Sequence, residues 1–356
     1  MNKAVRLVLA LLALIGIGAA IGKAFIWGDA VVNYGSYVPW GLWVSLYAFL
    51  VGTSAGAAWF GFYMGYKNNL VGWVKLGYSA AAISLVGALA FIALDLGKPM
   101  KGITIFFSPS FSSPLAWASW GYALFIIAVL VFLVKGTESV KSPIVWVALA
   151  ASVLFLAAET LFFSGMIARP LWNSWSNGLA FITSALASGG ALVYGIAYLT
   201  APQIIKESAG LRKLILSAII LHLVVGVGHA GLEAKLPEAM AQLSDWKYWV
   251  LFVGLGAVAA FLFSKQTTAA WGSLLALLSI MAYKVSFVSA AFTEAPFPEL
   301  PQAFQNARLS LVYSPSTVEW LVAIGLLALV LLAILVAVPK VMDQSKVSGK
   351  SNSLKA

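Results

Sequence analysis

The sequence predicts an all-α integral membrane protein of about ten transmembrane helices, and three observations lead there. Hydrophobic residues fill 62% of the 356 positions and charged residues only 10%, which leaves too little polar surface to clothe a water-soluble globule. The apolar residues gather into ten runs of roughly 18 to 25 residues, each long enough to cross a hydrocarbon core of about 30 Å as a helix. Lysines and arginines concentrate between those runs, so the net charge of +10 reads as membrane orientation rather than nucleic-acid binding.

In chain order the runs lie near residues 4 to 27, 41 to 64, 76 to 95, 117 to 134, 144 to 163, 175 to 199, 213 to 233, 247 to 264, 268 to 290 and 317 to 339. The first follows Lys3 and Arg6, lacks a clear small-x-small cleavage site and is long enough to span, which marks a retained helix rather than a signal peptide. The second begins with Pro39, Trp40 and Trp43 and leads into Thr53-Ser54-Ala55-Gly56-Ala57. The sixth begins with Pro170, Trp172 and Trp175 and leads into Ala187-Ser188-Gly189-Gly190-Ala191, a weak internal repeat about 132 residues on. Interfacial tryptophans and small packing residues recur in any membrane bundle. A true repeat four crossings apart predicts two parallel four-helix bundles, helices 2–5 and 6–9, related by an axis along the membrane normal. The expected division is residues 1–35 for a peripheral first helix, 36–168 and 169–292 for the bundles, and 293–356 for an outer loop, the last helix and a tail. The tail, Pro339 to Ala356, is polar and Lys-rich and reads as disordered.

Alternating the connections across the bilayer puts fourteen Lys and Arg residues on the side of both termini and two, Lys23 and Lys284, inside spans. The other six, Lys98, Lys101, Arg169, Lys235, Lys247 and Arg308, lie opposite. The positive-inside rule then places both termini in the cytoplasm of a multi-pass protein of the cell membrane. The long connections 96–116, 234–246 and 291–316 all fall outside, where a docking partner finds most to hold. With no cysteine, the chain cannot itself make disulfides, c-type haem linkages or iron–sulfur ligation, so any cluster belongs to a partner. The two histidines share one face of one helix, which does not suit a bis-histidine haem between facing helices.

An ionisable group in a span costs about 2.5 to 3.5 kcal/mol on insertion scales and needs a partner or a function. Lys23, Asp95, Glu159, His229, Glu233, Lys284 and Glu319 all fall in the outer half or at its edge, which suggests a site opening outward. On helix 7, His222, His229 and Glu233 are spaced by seven and four residues and share a face. Each group also has a purely structural reading. His222 suits a satisfied core histidine, Asp95 can pair with Lys98 in Asp95-Leu96-Gly97-Lys98-Pro99, Lys284 can neutralise Glu159 or Glu319, and Lys23 and Arg169 can snorkel to the interface.

Four stretches together resemble the membrane subunit of polysulfide reductase and its relatives, the PsrC/NrfD family. They are Trp40-Gly41-Leu42-Trp43 through Gly52-Thr53-Ser54-Ala55-Gly56; Asp95-Leu96-Gly97-Lys98-Pro99 with Ser112-Ser113-Pro114 and Trp117; Arg169-Pro170-Leu171-Trp172-Asn173; and Tyr313-Ser314-Pro315-Ser316 with Glu319. The resemblance implies two four-helix bundles, an outer-face site for menaquinone or another isoprenoid quinone, no haem or cluster in this chain, and an iron–sulfur electron-transfer partner docked outside among further subunits. The ten-helix count is similar to the longer branch of the family, such as the sulfite-reductase-linked DsrP type. Where some relatives carry a quinone-binding histidine this chain has Tyr47, and where a familiar tyrosine precedes the Arg-Pro-Leu-Trp-Asn motif it has Ala158 beside Glu159.

Quinol oxidation releases two electrons and two protons, and histidine or a partly buried glutamate can be tuned to take protons near neutral pH. The expected site therefore has Glu159 and His229 as quinone partners and proton carriers, with Tyr47 and Arg169 beside the quinone. Asp95, His222, Glu233, Lys284 and Glu319 are the candidates for a proton path. A secondary transporter and a passive anchor subunit are the competing readings.

Overall fold

Backbone inside a bilayer must satisfy its own N–H and C=O groups, and all regular structure among the described residues is helical. A computed structural model describes residues 3–97, 99–202, 209–293, 297, 299–304 and 309–342. Lys98, Arg308 and the tail beyond residue 342, with the expectations attached to them, lie outside the described residues.

The spanning helices are α1 (Lys3–Gly22), α2 (Leu42–Asn68), α3 (Val71–Asp95), α4 (Pro114–Val134), α5 (Pro143–Ser164), α6 (Trp175–Thr200), α7 (Ala209–Leu232), α8 (Tyr248–Ser264), α9 (Ala269–Ala290) and α10 (Thr317–Val341). Nine are long and apolar enough to cross a membrane. The remaining helix, α8, qualifies only together with the short helix Pro237–Ser244, from which it bends by 76°. The first run is one helical candidate span, Lys3–Val31, in which α1 gives way at Gly22 to a π-helical turn, Lys23–Trp27, then a 3₁₀ turn, Gly28–Val31. One expectation needs correction. The tail does not start at Pro339, because α10 continues through it to Val341.

Helix ends follow local chemistry. Pro114 and Pro143 stand in the first turns of α4 and α5, where the missing N–H costs nothing. Asn69 ends α2 in a left-handed conformation at φ 53°. Ser316 and Glu319 form a reciprocal capping box at the start of α10.

Packing repeats between the two halves. In the first, α2 packs on α3 and α5, and α4 packs on α5 and, most loosely, on α3. In the second, α6 packs on α7 and α9, and α8 on α9 and α7, the same ring. The halves join along α2 and α6, where a Cβ added to Gly189 would lie 2.2 Å from the Ala57 nitrogen and one added to Gly56 would lie 1.8 Å from the Ala185 oxygen. Backbones this close admit only glycine. Nearer the helix starts, Trp40 and Trp172 stack at 5.5 Å and 11°. Trp40 and Trp172 stand 132 residues apart, the spacing of the repeat, and their contact is what an axis between α2 and α6 requires, while Gly56 and Gly189 meet one position out of that register. The α1/α10 pair, itself in backbone contact at Gly16 and Gly325, lies against the first half mainly through α3.

Candidate functional site

The starts of α2, α4, α6, α8 and α10 and the ends of α3, α5, α7 and α9 meet at one end of the molecule, together with the longest connections. Three polar clusters form near this long-loop end.

The first lies between α2, α4 and α5. Glu159 is completely buried, and its Oε2 accepts hydrogen bonds from the Tyr47 hydroxyl at 2.7 Å and the Tyr122 hydroxyl at 2.8 Å. The two hydroxyls are themselves 2.8 Å apart, so three oxygens form a closed triangle. Glu159 Oε1 has no partner. Both tyrosines also line a cavity of about 530 Å³ between α2, α3, α4 and α5, otherwise largely apolar, with Trp40 and Phe106 in its wall and Asp95 and Ser119 as its further polar side chains. The size falls in the range of small-molecule sites, and convergent polar groups on an apolar wall are their usual mark. Glu159 therefore does not line the cavity, as its place near the helix end suggests, but is bonded to the two phenols that do.

The second cluster joins α6 to α7. Glu233 Oε1 accepts from the Ser174 hydroxyl at 2.5 Å, Ser174 and Ser176 hydroxyls are 2.8 Å apart, and Ser176 lies 2.8 Å from His229 Nδ1. Because the carboxylate end only accepts, the hydroxyl protons point toward it and His229 carries its proton on Nδ1. His229 Nε2 is then a buried acceptor without a partner. Two turns deeper on the same helix face, His222 Nδ1 lies 3.1 Å from Thr183, whose hydroxyl already donates to the Leu179 carbonyl, and His222 Nε2 is again unpartnered. Neither histidine lines the 530 Å³ cavity. Between the clusters stands Lys284, fully buried, its ammonium 3.2 Å from the centre of the Phe181 ring and without a hydrogen bond. It neutralises neither Glu159 nor Glu319 by contact, although Glu159 exerts the electrostatic pull on it.

The third cluster fastens α10. Glu319 Oε1 accepts from Tyr313 at 2.5 Å, and Oε2 accepts from the backbone N–H groups of Ser316 and Asn33, each at 2.9 Å. Tyr313 in turn accepts from the Leu42 N–H at 2.8 Å, a contact that leaves no room for a Cβ on Gly41. Burial and the Glu319 carboxylate push the Tyr313 hydroxyl well above its ordinary pKa, so it stays a donor. These bonds tie the start of α10 to the Asn33 segment and, through Tyr313, to the start of α2. Lys23 does not snorkel either. It is buried, pairs with Asp29 at 3.0 Å and donates to the Leu94 carbonyl at 2.5 Å. Asp95 sits on the cavity rim with Oδ1 unpartnered. Arg169 stands away from the cavity, donating to the Ala291 carbonyl at 2.8 Å and lying over the Phe292 ring at 4.6 Å.

The structure thus brings together Tyr47, Glu159 and, at the rim, Asp95. It places His229 and Glu233 in a separate chain, and leaves Arg169 and Glu319 in structural bonds. Tyr122, Ser174 and Ser176 escaped sequence reasoning. Matching side-chain depth across helices is the signal that finds Tyr122, and the Ser-x-Ser spacing at the start of α6 is the one that finds the serines.

Residues 30–291, the segment holding both rings of four helices, match the family described as polysulphide reductase, NrfD. The chain belongs to this family. It is 24% identical to a selenate reductase subunit of Mesobacillus selenatarsenatis, over 83% of this chain and 84% of that protein. It is 25% identical to the Hdr-like menaquinol oxidoreductase integral membrane subunit of Archaeoglobus fulgidus, over 85% of this chain and 84% of that one. This NrfD-family protein is a multi-pass membrane protein, with nine helices among the described residues long and apolar enough to cross a bilayer and a tenth in a bent pair. The family match begins after α1 and ends before α10, in keeping with their peripheral packing.

Proposed function

We propose that this subunit exchanges electrons between a membrane quinone, held in the α2–α5 cavity, and an iron–sulfur partner docked at the long-loop end. The observation that carries the reading is the pair of phenols on the cavity wall whose hydroxyls both bond to one buried carboxylate oxygen. The residues fit a quinone head group. An apolar slot suits the ring, and hydroxyl oxygens at one end suit its oxygens. The loose α3/α4 seam, lined by partly exposed Ile92, Leu115 and Ile126, gives an opening toward lipid. The Archaeoglobus relative, a menaquinol oxidoreductase subunit by name, makes menaquinol the first candidate.

A bound quinol supplies two electrons and two protons. While Tyr47 and Tyr122 both donate to Glu159, their oxygens present lone pairs to the cavity and accept from a ligand hydroxyl. A proton taken by either phenol oxygen from that side displaces the phenol's own proton onto Glu159 Oε2, so the triangle moves a proton inward without moving a heavy atom. Asp95 at the rim supplies a shorter route outward. The His229, Ser176, Ser174, Glu233 chain does not line the cavity and supplies a second only where water bridges His229 Nε2 to the phenols, and its end at Glu233 is only half-buried. Orientation by positive charge puts both exits, and the partner, on the outer side.

The test is a quinone-analogue titration on purified protein. Tyr122→Phe removes one cavity hydroxyl and is expected to weaken binding about tenfold, the worth of one hydrogen bond. His229→Ala is expected to stay within twofold of the native affinity. Absence of saturable binding by the native protein overturns the quinone reading in favour of a transporter or passive anchor.

A further inference from the structure

A second large cavity, about 500 Å³, lies at the opposite end, enclosed by α1, α6, α9 and α10. It exists because α1 packs on α10 but makes no comparable packing with α6 or α9, so Val5 and Leu9 face Leu199 and Leu274 across a gap. A smaller cavity of about 150 Å³ shares Leu192, Leu277 and Leu331 with it and carries the same cleft deeper, to Thr53 and Ser84. Along α9 the two run from Ala270 to Met281, roughly 17 Å at about 1.5 Å per residue. That exceeds the half-thickness of a hydrocarbon core, about 15 Å. The lining is almost wholly apolar, so in a bilayer the cleft fills with hydrocarbon rather than water.

Charge identifies which hydrocarbon. At the wide mouth Val5 has Lys3 and Arg6 as sequence neighbours and Thr267 has Lys265, all exposed. None of the three forms an ion pair among the described residues, and Lys265 lies over the Phe261 ring. By sequence this side carries fourteen Lys and Arg against three acidic residues, Glu138, Glu207 and Asp343, so this end is strongly cationic. Trp271, exposed beside it, sits where an interfacial tryptophan meets headgroups. Basic pockets between helices that continue into an apolar cleft are the pattern of anionic-lipid recognition.

We propose that this cleft binds one anionic phospholipid, an acyl chain lying between α1 and α9 and the phosphate held by Lys3, Arg6 and Lys265. The lipid fills the space that no side chain of α1 reaches and thereby ties the α1/α10 pair to the second half. It is independent of the quinone site, which lies at the other end of the molecule between α2 and α5.

The experiment is native mass spectrometry of the full-length protein from mild detergent, followed by exchange against phosphatidylglycerol and phosphatidylcholine. The expected result is one phosphatidylglycerol retained per chain, with at least a tenfold preference over phosphatidylcholine. Arg6→Gln combined with Lys265→Gln is expected to abolish that preference, and Leu274→Trp, which fills the cleft, to reduce retention at least tenfold. Quinone-analogue affinity is expected to stay native in both. Equal retention of phosphatidylcholine, undiminished retention in Leu274→Trp, or an isoprenoid quinone as the retained mass overturns the proposal. Should Leu274→Trp fail to fold, the charge variant decides alone.

Discussion

The two halves share one scaffold and differ in what they bury. Helices α2–α5 hold a carboxylate between two phenols beside an open cavity, whereas α6–α9 hold two histidines, a lysine and a run of hydroxyls in a closed interior. The covering differs too. Trp43 is fully buried and donates to the Glu319 carbonyl of α10, while its repeat counterpart Trp175 is 74% exposed because no helix covers that side. A duplicated fold therefore does not imply a duplicated site. Positions where α2 meets α6 are constrained by close backbone contact, and interior positions away from that seam are free to differ, a carboxylate between phenols beside a cavity on one side and a histidine, serine and glutamate chain on the other.

The strongest break in the comparison is at the axis itself. Gly189→Leu forces a side chain into the Gly56 and Ala57 backbone, which belongs to a rigid helix and cannot yield as a side chain would. The expected cost is more than about 3 kcal/mol, above ordinary overpacking, read as loss of monodisperse protein in detergent. Gly18→Ala, where a Cβ meets nothing within 4 Å, is expected to leave thermal stability unchanged or slightly raised.

Next is Glu159, the carboxylate held between two phenols in the first half. Glu159→Gln keeps the size and an acceptor oxygen for the phenols but cannot carry a proton. Quinol turnover in the assembled complex is expected to fall by about 10² or more, the usual worth of acid–base catalysis, with analogue affinity reduced far less. A parallel loss of affinity and turnover would make Glu159 a mere binding group.

How much of this was legible in the sequence depends on the range over which each feature is set. Span positions were readable, because hydrophobic runs are local patterns, and so were the small-residue stretches around Gly56 and Gly189, but that these two meet was not, because their contact joins distant segments. Tyr47 and Glu159 were readable as polar groups at similar depth, each five residues inside its helix. Tyr122 was not, because a tyrosine is unremarkable in an apolar helix until the fold places it 2.8 Å from a buried carboxylate. Glu159 and His229 were expected to share one ligand, an inference from depth alone. Depth fixes one coordinate and says nothing of the lateral separation that puts Phe181, Lys284 and Phe287 between them.

The second half's hydroxyl chain gives a smaller and separable effect. Ser176→Ala interrupts the link from His229 to Ser174 and Glu233 without touching the cavity. Turnover is expected to fall roughly three- to tenfold, a modest share of the range open to proton-transfer groups, with unchanged analogue affinity and an increased solvent isotope effect. An unaltered isotope effect would leave Asp95 as the route out and reduce the second half to a support.

The smallest effect is expected at Glu319, and it separates an ionisable group in a span from a functional one. Ser316 and Glu319 carry the Ser-x-x-Glu signature of a capping box, and the structure shows both reciprocal bonds. Every hydrogen bond the carboxylate accepts comes from groups that organise the start of α10 and its seat on α2. Glu319→Gln retains acceptor oxygen but loses the charge that strengthens these bonds, which predicts a loss of about 1 kcal/mol in stability and turnover within twofold of native. A turnover loss comparable to that of Glu159→Gln would instead put Glu319 on the proton path, and would mean that the helix covering only the first half contributes to its chemistry as well as to its packing.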